Sequence, residues 1–469
     1  MDIKQAKEVL RRTFLAYTER DADGALCIPA LRQRPLLLIG PPGIGKTAIL
    51  SQLAEELGAG LVAYTMTHHT RQSALGLPLI REKEYGGKTY SATEYTMSEI
   101  LAAVYDRMAQ TGQRTGFLFL DEINCVSETL MPAMLQLLQS KQFGTHRLPE
   151  GWVIVAAGNP PQYNQSARQF DTATMDRVRL LEVEADYPVW RSYALARGIH
   201  PAVLSYLELE PERFYRVEPH AHGRGAVTAR GWEDLSTLLS SYERLGFPVE
   251  DALFGEFLQE EETAASFASF FRLFAACRER ADVEGVLSGA VEMAPELRAL
   301  RFDERLAMVE FLLHALSGEL AAFRAGQQLA QSLTSFVSAL DAERDPLAAA
   351  KEHLARREHA VRVRKACGAI SPEEEGTERR FAALIHELID HEQGLDRLNG
   401  EKVQQCVVIE AAERALRTRM EHAMRFVRTT FGPGQELLIF LTQLEALPDG
   451  MRFLQTCACY PVLAAELGS

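Results

Sequence analysis

Residues 40–47, with the sequence Gly40-Pro41-Pro42-Gly43-Ile44-Gly45-Lys46-Thr47, have the pattern of a phosphate-binding loop. Glycines let the backbone curl until successive N–H groups face the phosphates of a nucleotide. In such a loop Lys46 reaches the β- and γ-phosphate oxygens, and the Thr47 hydroxyl coordinates magnesium. The stretch therefore predicts a nucleotide site, and we extend its binding residues by one position to Ala48.

The flanking sequence has the strand and the helix that this loop requires. The apolar run Leu36 to Ile39 predicts a strand that enters the loop. Residues 47–57 carry apolar side chains at helical spacing, and Gly58 follows as a helix-ending residue. A chance match to the motif is improbable in this context.

A second segment, Gly116 to Glu122 (GFLFLDE), predicts an apolar strand that ends in two carboxylates. Asp121 is the expected magnesium ligand, acting through water, and Glu122 is expected to polarise the attacking water. The alternative is an ordinary buried strand followed by a solvated acidic turn.

A third strand, Val153 to Ala157, leads into Gly158-Asn159-Pro160. Ligands of open α/β sheets bind at the carboxyl ends of strands, so the Asn159 amide is placed to orient a water molecule. On its own an Asn-Pro pair more often marks a turn.

Short apolar runs alternate with helical patterns in the first part of the chain, which indicates a parallel sheet with crossover helices. After Ala185 helical periodicity dominates. We read residues 216–225 as a loop, and Ser371 with Glu374 as a capping box that starts a new helix after a break. The predicted strands are Leu36 to Ile39, Leu61 to Tyr64, Phe117 to Leu120, Val153 to Ala157 and Val178 to Val183.

Composition limits the possible partners. The formal net charge of -14 repels a phosphate backbone, so nucleic acid is an unlikely partner. We find no apolar run of membrane-spanning length and no secretion signal, and we expect a cytoplasmic protein. The scattered cysteines are expected to be free thiols. The adjacent pair His68 and His69 lacks a third metal ligand, and a polar structural role is favoured.

The motifs, taken in order, resemble those of the AAA+ ATPases, and more narrowly those of the MoxR-like group. The resemblance covers about the first half of the chain and is carried by the phosphate loop, by LDEIN at 120–124 and by AAGNP at 156–160. It implies ATP and Mg²⁺ as cofactors and Asn159 as the residue called sensor 1. It also implies an arginine finger that completes a neighbour's site. Arg177 is the candidate for that finger, with Arg168 and Arg179 as rivals.

The resemblance further implies a sensor 2 arginine in a helical lid, and Arg230 matches it. The alternative for Arg230 is a helix-start residue paired with Glu233 or Asp234. Two hairpins, at 79–90 and 141–152, are similar to the family's inserts, which face the pore of a ring. The predicted domains are an AAA+ core at 1–185, a helical lid at 186–250, and a helical region of unknown role at 251–469.

We therefore expect a Mg-dependent ATP hydrolase that remodels or matures another protein, and the resemblance implies a hexamer. Family members commonly act with proteins carrying a von Willebrand factor A domain, so the resemblance implies such a partner. The alternative is a scaffold gated by nucleotide, in which hydrolysis is incidental. A nucleic-acid motor is disfavoured by the charge balance.

Overall fold

A computed structural model of the protein describes residues 1–467 except 69–75, 165, 221–222, 279–281, 341–344, 367–371 and 390–393. The chain divides into two compact units. Unit 1 contains Met1–Asp186 and His359–Ser371, and unit 2 contains Tyr187–Glu358 and Pro372–Ser469. The predicted separation of a lid, 186–250, from the region 251–469 stays a prediction.

Unit 1 is an α/β domain. Its elements in chain order are α1 (Ile3–Thr18), β1 (Leu36–Ile39), α2 (Lys46–Glu56), β2 (Gly60–Thr65), β3 (Pro78–Tyr85), β4 (Lys88–Tyr95), α3 (Glu99–Thr111), β5 (Gly116–Asp121), α4 (Met131–Ser140), β6 (Gln142–Phe143), β7 (His146–Arg147), β8 (Trp152–Gly158), α5 (Thr172–Met175) and β9 (Arg179–Glu182).

Five strands of unit 1 form one parallel sheet in the order β2-β5-β8-β1-β9. Helices α2, α3, α4 and α5 occur in the connections between successive strands. These are the five predicted strands, and the predicted fold class, a P-loop core followed by a mostly helical region, is confirmed. Because β1 pairs with both β8 and β9, the phosphate loop leaves the sheet between two neighbouring strand ends.

Burial on both faces explains why the central strands are apolar. Every residue of β8 is buried, and β5 is buried from Gly116 to Leu120. The Trp152 ring lies so close to the start of β2 that a Cβ on Gly60 would come within 2.8 Å of it. A glycine at that position lets the largest side chain of the sheet pack against the neighbouring strands.

Both predicted hairpins of unit 1 are present. Strands β3 and β4 pair antiparallel from Pro78↔Tyr95 to Tyr85↔Lys88 and turn at Gly86-Gly87, where both φ angles are positive. Strands β6 and β7 form a second, shorter ribbon. The ring of His146 on this ribbon lies 3.1 Å from the Tyr95 carbonyl at the base of the first hairpin. The pore-facing role of either hairpin stays a prediction.

Unit 2 is mostly helical. Its elements are α6 (Tyr187–Arg197), α7 (Pro201–Leu209), β10 (Arg216–His220), β11 (Gly223–Val227), α8 (Ala229–Leu245), α9 (Asp251–Phe257), α10 (Glu261–Arg278), α11 (Val283–Ser288), α12 (Phe302–Leu340), α13 (Pro346–Ala366), whose last residues are counted with unit 1, α14 (Pro372–Ile389), α15 (Gly394–Phe431), α16 (Gln435–Ala446), α17 (Gly450–Leu454) and α18 (Tyr460–Leu467).

The prediction of a loop at 216–225 is wrong. This segment is part of the antiparallel hairpin β10–β11, with Val217 paired to Ala226. The segment lacks the apolar alternation that indicates a strand. Contacts at its two ends, rather than a buried apolar face, hold the hairpin in place. Arg216 pairs with Glu260, and Val227 is fully buried. Ser371 of the predicted capping box lies outside the described residues, and the helix that follows begins at Pro372.

Helix α12 corrects the expectation that no apolar run reaches membrane-spanning length. It is the one helix in the described part of the chain that is long and apolar enough by those criteria alone. Of its most apolar stretch, 61% is buried inside the protein. Core helices of soluble proteins share these properties, and the burial supports a core role for α12.

Candidate functional site

The phosphate loop has the backbone that its glycines permit. Gly43 and Gly45 have φ angles of +73° and +91°, in the left-handed region that favours glycine. Gly45 precedes the first turn of α2, so the free N–H groups of the helix face the loop. A Cβ on Gly40 would lie 2.4 Å from the Val183 carbonyl oxygen, and only glycine fits there. The loop is therefore shaped to receive an anion at the start of α2.

Lys46 is buried, with 8% of its surface exposed, and its amine is held by oxygen atoms of the site. The Nζ atom donates to the carbonyls of Gly40 and Pro41 and to Oδ1 of Asn159, each at 2.8 Å. The last of these bonds joins the loop to the end of β8. Lys46 and Asn159, predicted separately from two motifs, thus meet in one site.

Thr47 and Asp121 also come together. The Thr47 hydroxyl donates to Asp121 Oδ2 over 3.1 Å, while Asp121 Oδ1 accepts from the Glu122 N–H at 2.9 Å. A hydroxyl and a carboxylate oxygen side by side are ligands that suit magnesium, which usually takes few protein ligands and keeps several waters. The residues present therefore fit the predicted ion.

Glu122 has a left-handed backbone, with φ +54°, at the end of β5. This conformation is uncommon outside glycine and is concentrated at functional sites. It turns the chain away from the strand direction directly after the metal-ligand candidate. Within the described part of the chain, the Glu122 carboxylate makes no ion pair, so it is not engaged as a structural anchor.

Asn124, which sequence reasoning named only as part of a motif, is a buried member of the site with 2% of its surface exposed. Its Nδ2 donates to the Asn159 carbonyl at 2.7 Å and lies 3.5 Å from the Arg168 carbonyl. Gly158 makes this approach possible, because a Cβ there would come 2.4 Å from Asn124 Oδ1. The available signal is an amide two residues after the acidic pair Asp121-Glu122.

The three candidates for the finger differ in their contacts. Arg168 pairs with Glu128 at 2.8 Å, and Arg179 donates to the Thr13 hydroxyl on α1 at 2.9 Å. Arg177, after α5, is exposed, and among the described residues its guanidinium makes no hydrogen bond or ion pair. Of the three, Arg177 is the side chain with no such contact to its own chain.

Arg230 lies in unit 2, in the first turn of α8. Thr228 caps this helix, since its hydroxyl accepts from the Gly231 N–H at 3.1 Å. Arg230 is exposed, and in the described structure it pairs with neither Glu233 nor Asp234. The alternative of a local helix-start ion pair has no support in these contacts.

Two other sequence candidates remain outside the site chemistry. The side chain of His68 and all of His69 lie outside the described residues, and the described chain contains no cluster of three potential metal ligands. Burial, followed by the charges of Glu122 and Asp121, raises the pKa of the Cys125 thiol. Its sulfur accepts from Asn164 Nδ2 at 3.2 Å. Cys125 is therefore a packed thiol, as expected from the sequence.

Part of the chain is similar to a known protein family, and this similarity agrees with the site geometry. Residues 35–178 match the family described as AAA domain (dynein-related subfamily). A stretch of 115 residues, 24% of the chain, is 32% identical to midasin of Giardia intestinalis and spans 2% of that protein. The solved structure of NtrX from Brucella abortus in complex with ADP matches at 13% identity and a TM-score of 0.29, over 53% of this chain and 50% of that one. The chain therefore contains an AAA domain.

Proposed function

We propose that this protein is a Mg-dependent ATP hydrolase of the MoxR-like AAA+ type that couples hydrolysis to remodelling or maturation of a partner protein. The observation that supports this most directly is that residues from three separate motifs come together in one site. The phosphate loop, the Thr47–Asp121 pair, Glu122 and Asn159 all lie at the carboxyl ends of neighbouring strands β1, β5 and β8.

Each side chain has a role in this reaction. Lys46 exchanges the carbonyl oxygens of Gly40 and Pro41 for phosphate oxygens, while the backbone of 40–47 encloses the phosphates. Thr47 and Asp121 would hold magnesium, which would supply positive charge against the phosphates. Glu122 accepts a proton from the attacking water, and Asn159 orients that water.

The proposal includes a ring, of six subunits by family resemblance, in which Arg177 completes a neighbour's site. Its support is the exposed, unengaged guanidinium of Arg177 and the membership of residues 35–178 in a family of ring-forming proteins. Arg230 serves as the lid arginine. A von Willebrand factor A domain protein is the proposed type of partner, and the cytoplasm is the proposed compartment.

The test compares ATP turnover of the wild type with that of Glu122→Gln. We expect kcat to fall by about 100-fold or more while ATP still binds, because the amide keeps the shape of the site but cannot accept the proton. Glu150→Gln is the control, since Glu150 is exposed and pairs only weakly with Arg20 at 3.8 Å.

Unchanged turnover in Glu122→Gln would contradict the role of Glu122. Proteins retained on this variant with ATP and released without it would identify the partner. The scaffold alternative would gain if Glu122→Gln, although unable to hydrolyse ATP, kept full function in cells.

A further inference from the structure

Asn124 connects the two strand ends that carry the chemistry. It follows Glu122 by two residues in a short 3₁₀ turn, so it is fixed to the end of β5. Its side-chain amide donates to the backbone carbonyl of Asn159, which ends β8. Because Asn124 is fixed to the end of β5 and bonded to the residue after β8, it sets the distance between the proton acceptor Glu122 and the water-orienting Asn159.

Asn159 is then held at two points, its backbone carbonyl and its side-chain amide oxygen. Asn124 holds the carbonyl of the residue at 2.7 Å, and Lys46 holds its amide oxygen at 2.8 Å. If the first bond is lost, the second remains and pulls the amide towards the phosphate loop. The orientation of Asn159 therefore depends on the Asn124 side chain.

Asn124 also holds the segment that leads to the finger candidate. Its backbone carbonyl accepts from the Arg168 N–H at 3.0 Å, and its Nδ2 faces the Arg168 carbonyl. Next to it, Cys125 accepts from Asn164 of the same segment. The chain reaches Arg177 nine residues after this attachment point.

From these contacts we propose that Asn124 is a positioning residue, which aligns Asn159 with the phosphate loop and anchors the segment 159–177 that ends at Arg177. The inference rests on the proposed function, because the alignment matters only if the site hydrolyses ATP.

The first test uses Asn124→Ala and Asn124→Asp. Both should lower kcat by about 10- to 100-fold, in line with the cost of small misplacements in an active site, and both should leave the Kd for ATP within about threefold. The Asp variant keeps the shape but replaces the donor with an acceptor that faces two carbonyl oxygens, so it should be no better than Ala.

The control for a merely structural role is Val104→Ala, which opens a cavity in the fully buried core beside the sheet. The inference is overturned if Asn124→Ala lowers kcat no more than Val104→Ala does, or if the loss is in ATP affinity while kcat is kept. Equal activity of Asn124→Asp and the wild type would overturn it too.

A second readout does not depend on hydrolysis. Amide hydrogen exchange over residues 159–170 should be faster in Asn124→Ala than in both the wild type and Val104→Ala. If the wild type fails to hydrolyse ATP, the proposed function is wrong, and this measurement still decides whether Asn124 anchors the segment. Because Asn124→Ala keeps the backbone bond to Arg168, unchanged protection in this variant would overturn the anchoring role of the Asn124 side chain.

Discussion

At the scale of single residues, Lys141 shows most directly how burial opposes charge. Only 6% of it is exposed. Its amine donates to Gln33 Oε1 at 2.6 Å and faces the Trp152 carbonyl at 3.4 Å, and no carboxylate pairs with it in the described structure. Burial lowers the pKa of Lys141 from its usual 10.5 to about 8. The folded state therefore favours the neutral amine more than the unfolded state does.

This gives a prediction for the pH dependence of stability. Because the unfolded chain binds the Lys141 proton more tightly, the free energy of unfolding should rise with pH between about 8 and 10.5. Relative to Lys141→Met, wild type should gain about 2 kcal/mol between pH 7 and pH 9.5. Urea unfolding of both proteins at the two pH values measures the difference. A constant difference would mean that Lys141 keeps its ordinary pKa in the folded protein.

Sequence motifs predict which residues meet at the candidate site, but they do not separate the three candidates for the arginine finger. Lys46, Thr47, Asp121 and Asn159 were predicted from three separate motifs, and the structure brings them together because parallel strands end at one edge of a sheet. Arg177 could not be separated from Arg168 and Arg179 by sequence, since the difference lies in contacts with Glu128 and with Thr13 that are distant in the chain.

At the scale of elements, three helices of unit 2 are joined by one carboxylate. Glu243 on α8 accepts from the ring of His200 at 3.1 Å and pairs with Arg278 at the end of α10. The other ring nitrogen of His200 accepts from the Ala202 N–H and so caps α7. Burial alone would raise the pKa of Glu243, but the hydrogen bonds from His200 and Arg278 lower it to about 2.

A second pH prediction follows from this carboxylate. Since its pKa is lower in the folded state than the usual 4.5, its contribution is present above pH 4.5 and is lost as pH falls towards 2. With allowance for solvent screening, Glu243→Gln should cost on the order of 1–2 kcal/mol at pH 6 and progressively less below pH 4.5. Thermal unfolding followed by circular dichroism would show this. A cost that does not change between pH 6 and pH 3 would contradict it.

Helices and strands with a periodic or continuous apolar pattern could be predicted from the sequence. Hairpin β10–β11 has no such pattern, and the sequence predicts a loop there. The central strands β1, β5 and β8 are continuous apolar runs because they are buried on both faces. Hairpin β3–β4 was found from Gly86-Gly87, a turn signal that sets local geometry. Hairpin β10–β11 has neither signal, and its position depends on the distant partner Glu260.

At the scale of the whole molecule, the proposed ring leads to a complementation test. Lys46→Ala should abolish ATP binding, and Arg177→Ala should leave binding intact but lower kcat by about 1,000-fold, the order seen for arginine fingers. Mixed together, the two inactive variants should regain part of the activity. An intact phosphate loop from one subunit would then meet an intact Arg177 from another.

The controls for this test are the rival arginines. When Arg168→Ala or Arg179→Ala is mixed with Lys46→Ala, we expect no recovery of ATPase activity like that of the mixture with Arg177→Ala. Activity measured against protein concentration would show whether assembly is needed. If Arg177→Ala alone keeps wild-type kcat, Arg177 is not the finger.

Helix α12 packs into two separate sets of core residues. Leu306, Leu313 and Leu320 are buried in its first half, while its end from Leu333 to Leu340 belongs to a distal cluster with Phe381 and other residues of α13, α14 and α15. The stretch between, 324–332, contains no buried residue. With 39 residues the helix is about 58 Å long, so a rigid tilt of about 10° at its start would displace its last turn by about 10 Å. A small tilt at the start of α12 would therefore move the distal cluster by about 10 Å, which is about the diameter of a helix.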